Sequence, residues 1–162
     1  MRIGIDPGIQ GALALLADDN TLIEVVDMPV MALGKTKRQV NAAELGKIMI
    51  SWQKGFIGTY PAYLEQVSAF PGQGVTGMFN FGMSYGVVQG ILGALQIPVV
   101  LVTPQAWKKR AGLIGKDKDY ARTLAQRLYP AADLARKKDI GRAEAILIAR
   151  WASESSTRIH PL

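Results

Sequence analysis

Arg2-Ile3-Gly4-Ile5-Asp6-Pro7-Gly8-Ile9-Gln10-Gly11 opens the chain and decides how the rest is read. A short apolar run ends in an acid, and the proline and glycines after it supply the chemistry of a tight reversal. Residues 12–17 and 21–28 then read as two further strands, separated by Asp18-Asp19-Asn20, so the first 28 residues form a three-stranded antiparallel meander. Residues 29–39 read as a loop carrying Lys35, Lys37 and Arg38. Asn41 is placed to cap a helix running to about residue 54, with Leu45, Ile48, Met49 and Trp52 on one face. Residues 60–67, which include Glu65, read as a fourth strand.

The segment from Gln66 to Trp107 contains no charged residue. Its apolar stretch over residues 81–102 has the length of a membrane span, but Ser84, Gln89, Gln96 and Pro98 interrupt it. A helix over about 76–95 followed by a buried β-branched strand at 99–102 accounts for it better, and no membrane association is expected. Gly82, Gly86 and Gly90 fall at i, i+4 and i+8 of that helix. This gives it one smooth side, suited either to packing on the sheet or to contact with a second copy. Three helices follow: one from Thr103 or Pro104 to Arg110, one over 116–129, and one over 140–153, with a basic loop at 130–138. The order β-β-β-α-β-α-β-α-α-α predicts an α/β domain with a mixed five-stranded sheet flanked by helices. It occupies residues 1–153, and residues 154–162 form a polar tail.

The composition narrows the chemistry. The chain has 162 residues, 49% hydrophobic and 20% charged, with a mean hydropathy of +0.12. This is the composition of one globular domain. There are no cysteines, and the single histidine is His160. Thiol nucleophiles, zinc ribbons and histidine-based triads are therefore excluded or strongly disfavoured. Catalysis by this chain would have to use carboxylates.

Three acids stand in apolar surroundings: Asp6 after Ile3-Gly4-Ile5, Glu65 after Ala62-Tyr63-Leu64, and Glu144 within Ala143-Glu144-Ala145-Ile146-Leu147. Acids enter such settings when they are paired or bind a cation. A first-strand acid, a fourth-strand acid and a late-helix acid can converge at one sheet edge. Oxygen ligands of that kind select hard ions, Mg²⁺ or Mn²⁺, and such ions support phosphodiester hydrolysis. The charge is consistent with a polyanionic substrate. The chain carries a net +6 with a pI near 9.7. Residues 107–142 hold 11 Lys/Arg against 4 Asp/Glu, whereas residues 1–106 hold 6 against 7. That surplus fits nucleic acid, the alternative being a solvated basic face. The candidate phosphate contacts are Lys108, Lys109, Arg110, Lys116, Lys118, Lys137, Lys138 and Arg142.

These residues carry a family resemblance. Ile3-Gly4-Ile5-Asp6-Pro7-Gly8 resembles the first strand of RuvC-type Holliday junction resolvases, and Leu64-Glu65-Gln66-Val67 their second acidic motif. Gly86-Val87-Val88-Gln89-Gly90, Pro98-Val99-Val100 and the run from Val102 to Lys108 continue in the same order. Gly141-Arg142-Ala143-Glu144-Ala145 resembles the terminal motif of phage-encoded members. The match spans about residues 2–150. It implies a ribonuclease-H-like fold, a homodimer, Mg²⁺ (or Mn²⁺) dependence, and nicking of four-way DNA junctions in the cytoplasm of a bacterial or phage-infected cell. It also implies Asp6, Glu65 and Glu144 as metal-binding catalytic residues.

The chain departs from the family pattern at two positions. Bacterial members place a further acid where this chain has Gly141. Asp139 is the nearest substitute, either as a metal ligand and catalytic residue or as a helix cap. A stacking aromatic expected at Ser68 is absent, leaving Phe70 as the candidate DNA contact or a packing residue. The alternatives are an RNase or general nuclease on the same fold, or a DNA-binding protein without catalysis. An actin-type kinase or ATPase is disfavoured because such proteins need a second domain to close over the nucleotide, which 162 residues are not expected to supply, and no GxxxxGK[ST] loop is present either.

Overall fold

In the computed structural model, which describes residues 1–35, 37–54, 60–68, 72 and 74–152, the meander is built as the sequence dictates. Strands β1 (Arg2–Asp6), β2 (Ala12–Leu16) and β3 (Leu22–Asp27) pair antiparallel, with Ile5 opposite Leu13 and Asp6 opposite Ala12. On its other side β1 pairs in parallel with β6 (Ala62–Glu65), which pairs in parallel with β7 (Val99–Val102). The sheet order is therefore β3-β2-β1-β6-β7, with β1 central.

Strand alternation sends side chains to two cores. Ile3, Ile5, Leu13, Leu15 and Leu64 pack with Leu45, Met49 and Trp52 of helix α1 (Ala42–Gln53) and with Val88 and Leu92 of α2 (Val75–Ala94). Ala12, Ala14, Leu16, Tyr63, Val100 and Val102 face the other way. They pack against Trp107 of α3 (Pro104–Arg110), Leu124 of α4 (Lys118–Leu128) and residues 145–149 of α5 (Ile140–Ala152). The result is three layers, α/β/α. Asn41, Thr103 and Asp117 cap α1, α3 and α4 through their side chains.

Two segments differ from expectation. Residues 29–39 are not an irregular loop: β4 (Val30–Leu33) and β5 (Lys37–Val40) form a separate two-stranded hairpin with Val30 opposite Val40. Val40 and Met28 are buried and anchor it to the core, while its other described residues are largely exposed, so the apolar run Val30-Met31-Ala32-Leu33 does not show the burial pattern of a core strand. The glycine face of α2 does not lie on the sheet. Ser84, Val88 and Leu92 point inward, and β-carbons built at Gly82, Gly86 and Gly90 on the opposite side would meet nothing within 4 Å. Val75 (85% exposed) and Phe79 (66%) extend this outward face. Among the described residues no helix is long and apolar enough to cross a membrane.

Candidate active site

The site is set by close approach of α5 to β1. A β-carbon at Gly4 would lie 2.1 Å from the Ala145 carbonyl oxygen and 2.5 Å from the Ala149 nitrogen, so only glycine lets the helix seat there. One turn earlier, Gly141 presses on the β1–β2 turn, and a β-carbon there would be 2.3 Å from the Gln10 carbonyl oxygen. No side chain fits at Gly141 in this packing, so the acid expected at that position has no room here. With Ala145 held over Gly4, Glu144 arrives beside Asp6, two residues further along β1 on the same face. The parallel register places Ile5 opposite Leu64, so Asp6 and Glu65 stand together at the carboxyl ends of adjacent strands.

The electrostatics reflect this convergence. Burial, then the charges of Glu144 and Glu65, push the Asp6 carboxyl from 3.8 up to about 7, against the Gly8 N–H that donates to Asp6 Oδ1 at 3.2 Å and the charge of Lys108. Burial also raises Glu65, opposed by the hydrogen bond it accepts from Trp107. Two consecutive α3 residues contact the acids. The Trp107 Nε1–H donates to Glu65 Oε1 at 2.8 Å, and Lys108 Nζ lies 3.2 Å from Glu144 Oε1.

The donor set suits a hard divalent cation, because it consists of carboxylate oxygens whose mutual repulsion at Asp6 is only partly offset by the Gly8 N–H and Lys108. It is not a closed cage. Among the described residues no three acidic, His or Cys side chains stand as a ready metal-holding group; Glu144 is engaged by Lys108 and Glu65 by Trp107. The fit lies in donor chemistry and charge.

Asp139 is not brought to the trio. It precedes α5, in the 3-10 turn Lys137–Asp139, and is 1% exposed. Its carboxylate accepts from Arg136 Nη2 at 2.8 Å and from the Arg136 backbone N–H at 2.8 Å. Burial alone would raise this carboxyl, but the hydrogen bonds and charge of Arg136 outweigh it and hold the group below its ordinary value. The geometry is that of a turn cap. Phe70 lies outside the described residues.

Asp6 and Glu144 open on a cleft of about 610 Å³ whose walls carry Lys108, Lys118, Lys137, Lys138 and, from the hairpin, Arg38. Lys109, Arg110 and Lys116 are exposed but do not line it. Arg142 differs from the other cations in being largely buried. It pairs with Asp27 and, at 3.0 Å, with Asp133, tying α5 to β3 and to the loop before the 3-10 turn. Sequence reasoning missed Arg38, Asp27 and Trp107 as residues of the site. Arg38 was visible only as a basic loop residue, and the partner of Trp107 lies 42 positions away.

No family model matches the chain. Over 93 residues, 56% of its length, it is 37% identical to the chloroplastic Holliday junction resolvase MOC1 of Chlamydomonas reinhardtii, a match that covers 10% of that protein. Its structure aligns with Thermus thermophilus RuvC in complex with a Holliday junction substrate, at a TM-score of 0.65 and 17% identity over 99% of both chains. A second structure of Thermus thermophilus RuvC aligns at 0.61 and 15%, again over 99% of both chains. The fold is that of RuvC, as the sequence motifs led one to expect.

Proposed function

We propose that the chain is a metal-dependent endonuclease that nicks four-way DNA junctions by phosphodiester hydrolysis. The observation that carries this reading is the convergence of Asp6, Glu65 and Glu144 beside a cleft edged by lysines. An anionic centre alone would repel DNA, and a basic cleft alone would bind it without cutting; together they suit a phosphate held in place for hydrolysis. The similarity to MOC1 and the shared RuvC fold support the choice of a branched substrate.

In this reading Asp6, Glu65 and Glu144 hold Mg²⁺ (or Mn²⁺), and Asp139 braces the turn before α5. A cation held there would supply positive charge to acidify an attacking water and offset charge on the leaving oxygen. Lys118, Lys137, Lys138 and Arg38 bind the flanking phosphates, with Lys109, Arg110 and Lys116 extending the basic surface. Lys108 offsets negative charge at Glu144.

Paired nicks on a two-fold junction need two sites in fixed relation, which a homodimer provides. The outward face of α2, with Val75, Phe79 and three glycines, is the surface suited to a second copy. The compartment proposed is the cytoplasm of a bacterial or phage-infected cell.

The test is a cleavage panel of four-way junction, linear duplex and RNA–DNA hybrid in Mg²⁺. Preferential cutting of the junction is expected. Equal cutting of the duplex, or preference for the hybrid, would reassign the activity to a general nuclease or an RNase.

A further inference from the structure

The geometry points to Trp107 as a positioning residue for the divalent cation: its indole N–H fixes one oxygen of Glu65 so that the carboxylate keeps a single orientation toward Asp6 and Glu144. This inference rests on the metal-site reading above, but it concerns ion binding rather than cleavage.

Three observations carry it. Trp107 is fully buried, so its ring is locked by packing. Its Nε1 donates to Glu65 Oε1 at 2.8 Å, a charge-assisted distance for a buried donor whose partner is an acid of the site. Its helix is also fixed at its origin, with Thr103 Oγ1 capping the Ala106 N–H and Pro104 in the first turn. A glutamate at a strand end has three rotatable bonds of its own. Holding one oxygen removes that freedom before the ion arrives and leaves the second oxygen to bind it. Partners of this kind set ligand orientation, and their loss commonly weakens metal binding about 10–100-fold.

The chain contains its own control. The Trp52 Nε1–H donates to Glu24 Oε2 at 2.6 Å, the same chemistry away from the site. Calorimetric titration with Mn²⁺, without DNA, would compare wild type, Trp107→Phe and Trp52→Phe. About ten-fold or greater weakening in Trp107→Phe, with wild-type affinity in Trp52→Phe, is the expected result. A purely structural tryptophan would lower the melting temperature and leave Mn²⁺ affinity unchanged, and that result would overturn the inference.

If Trp107→Phe fails to fold, the wild-type protein still provides the test through its indole N–H resonances during Mg²⁺ titration. The Trp107 signal should shift while that of Trp52 stays in place; a stationary Trp107 signal would overturn the inference equally. A wild-type protein that binds Mn²⁺ in this Trp107-dependent way yet leaves junctions intact would defeat the nuclease reading and leave this one standing.

Discussion

Replacing Asp6 by asparagine should make the cation-free protein more stable at and above neutral pH. The folded carboxyl is raised from 3.8 to about 7, so the folded state binds the proton more tightly than the unfolded chain does. Below about pH 4 both states are protonated and Asp6 costs nothing. As pH rises from about 4 to 7 the unfolded state gives up its proton first, and stability falls across that window. Above pH 7 the full penalty is present, about 4 kcal/mol at ~1.4 kcal/mol per pH unit.

Asparagine removes this cost and can still accept from Gly8, but its buried amide needs a new partner, at a cost of about 1–3 kcal/mol. The net gain is about 1–3 kcal/mol. At roughly 2–4 °C per kcal/mol for a chain of this size, the melting temperature should rise by about 2–12 °C. The assay is calorimetric unfolding of both proteins in EDTA from pH 4 to 9. The difference should grow between pH 4 and 7 and then level off. Added Mg²⁺ should raise the wild type alone, by about 1.4 kcal/mol at ten times its Kd. An Asp6→Asn protein less stable than wild type at pH 8 in EDTA, or a difference independent of pH, would refute the electrostatic argument.

Three further outcomes are expected. Gly4→Ala drives a methyl group into the backbone of α5 and should destabilise the fold by at least about 2 kcal/mol, read from urea unfolding. Gly86→Leu enters open space on α2 of the single chain and gains about 1 kcal/mol of helix propensity; the monomer's fold should therefore hold, and, if that face pairs, sedimentation should shift from dimer to monomer. Replacing Lys137 and Lys138 by alanine should weaken junction binding and flatten its log–log salt dependence by roughly one to two units, at about 0.9 per phosphate contact. Replacing Lys47 and Lys54 should do much less, because Lys47 pairs with Glu44 and neither lines the cleft.

The parts of the fold that were legible in the sequence are those written in local pattern. The meander follows from apolar runs divided by Pro7-Gly8 and Asp18-Asp19-Asn20. Asp6, Glu65 and Glu144 stand out because charge inside an apolar run is rare. The β4–β5 hairpin was not legible, since only Met28 and Val40 anchor it and its strands expose Met31 and Leu33. The glycines of α2 were visible, but which side of the helix they occupy depends on the inward choice of Ser84, Val88 and Leu92. The pairings Trp107–Glu65 and Arg142–Asp27 join residues 42 and 115 positions apart, and nothing in their local sequence encodes a partner at that distance. Gly141 was legible only as a missing acid; its close approach to Gln10, which leaves no room for a side chain, was not.

The most direct measurement is single-turnover cleavage of a labelled four-way junction by wild-type protein and Asp6→Asn, with junction binding measured in parallel. Wild type should cut in Mg²⁺ and not in EDTA. Asp6→Asn should bind the junction as well as wild type or more tightly, because one charge facing phosphate is gone, and should leave it uncut. Cleavage by Asp6→Asn at the wild-type rate in saturating Mg²⁺ would contradict the account.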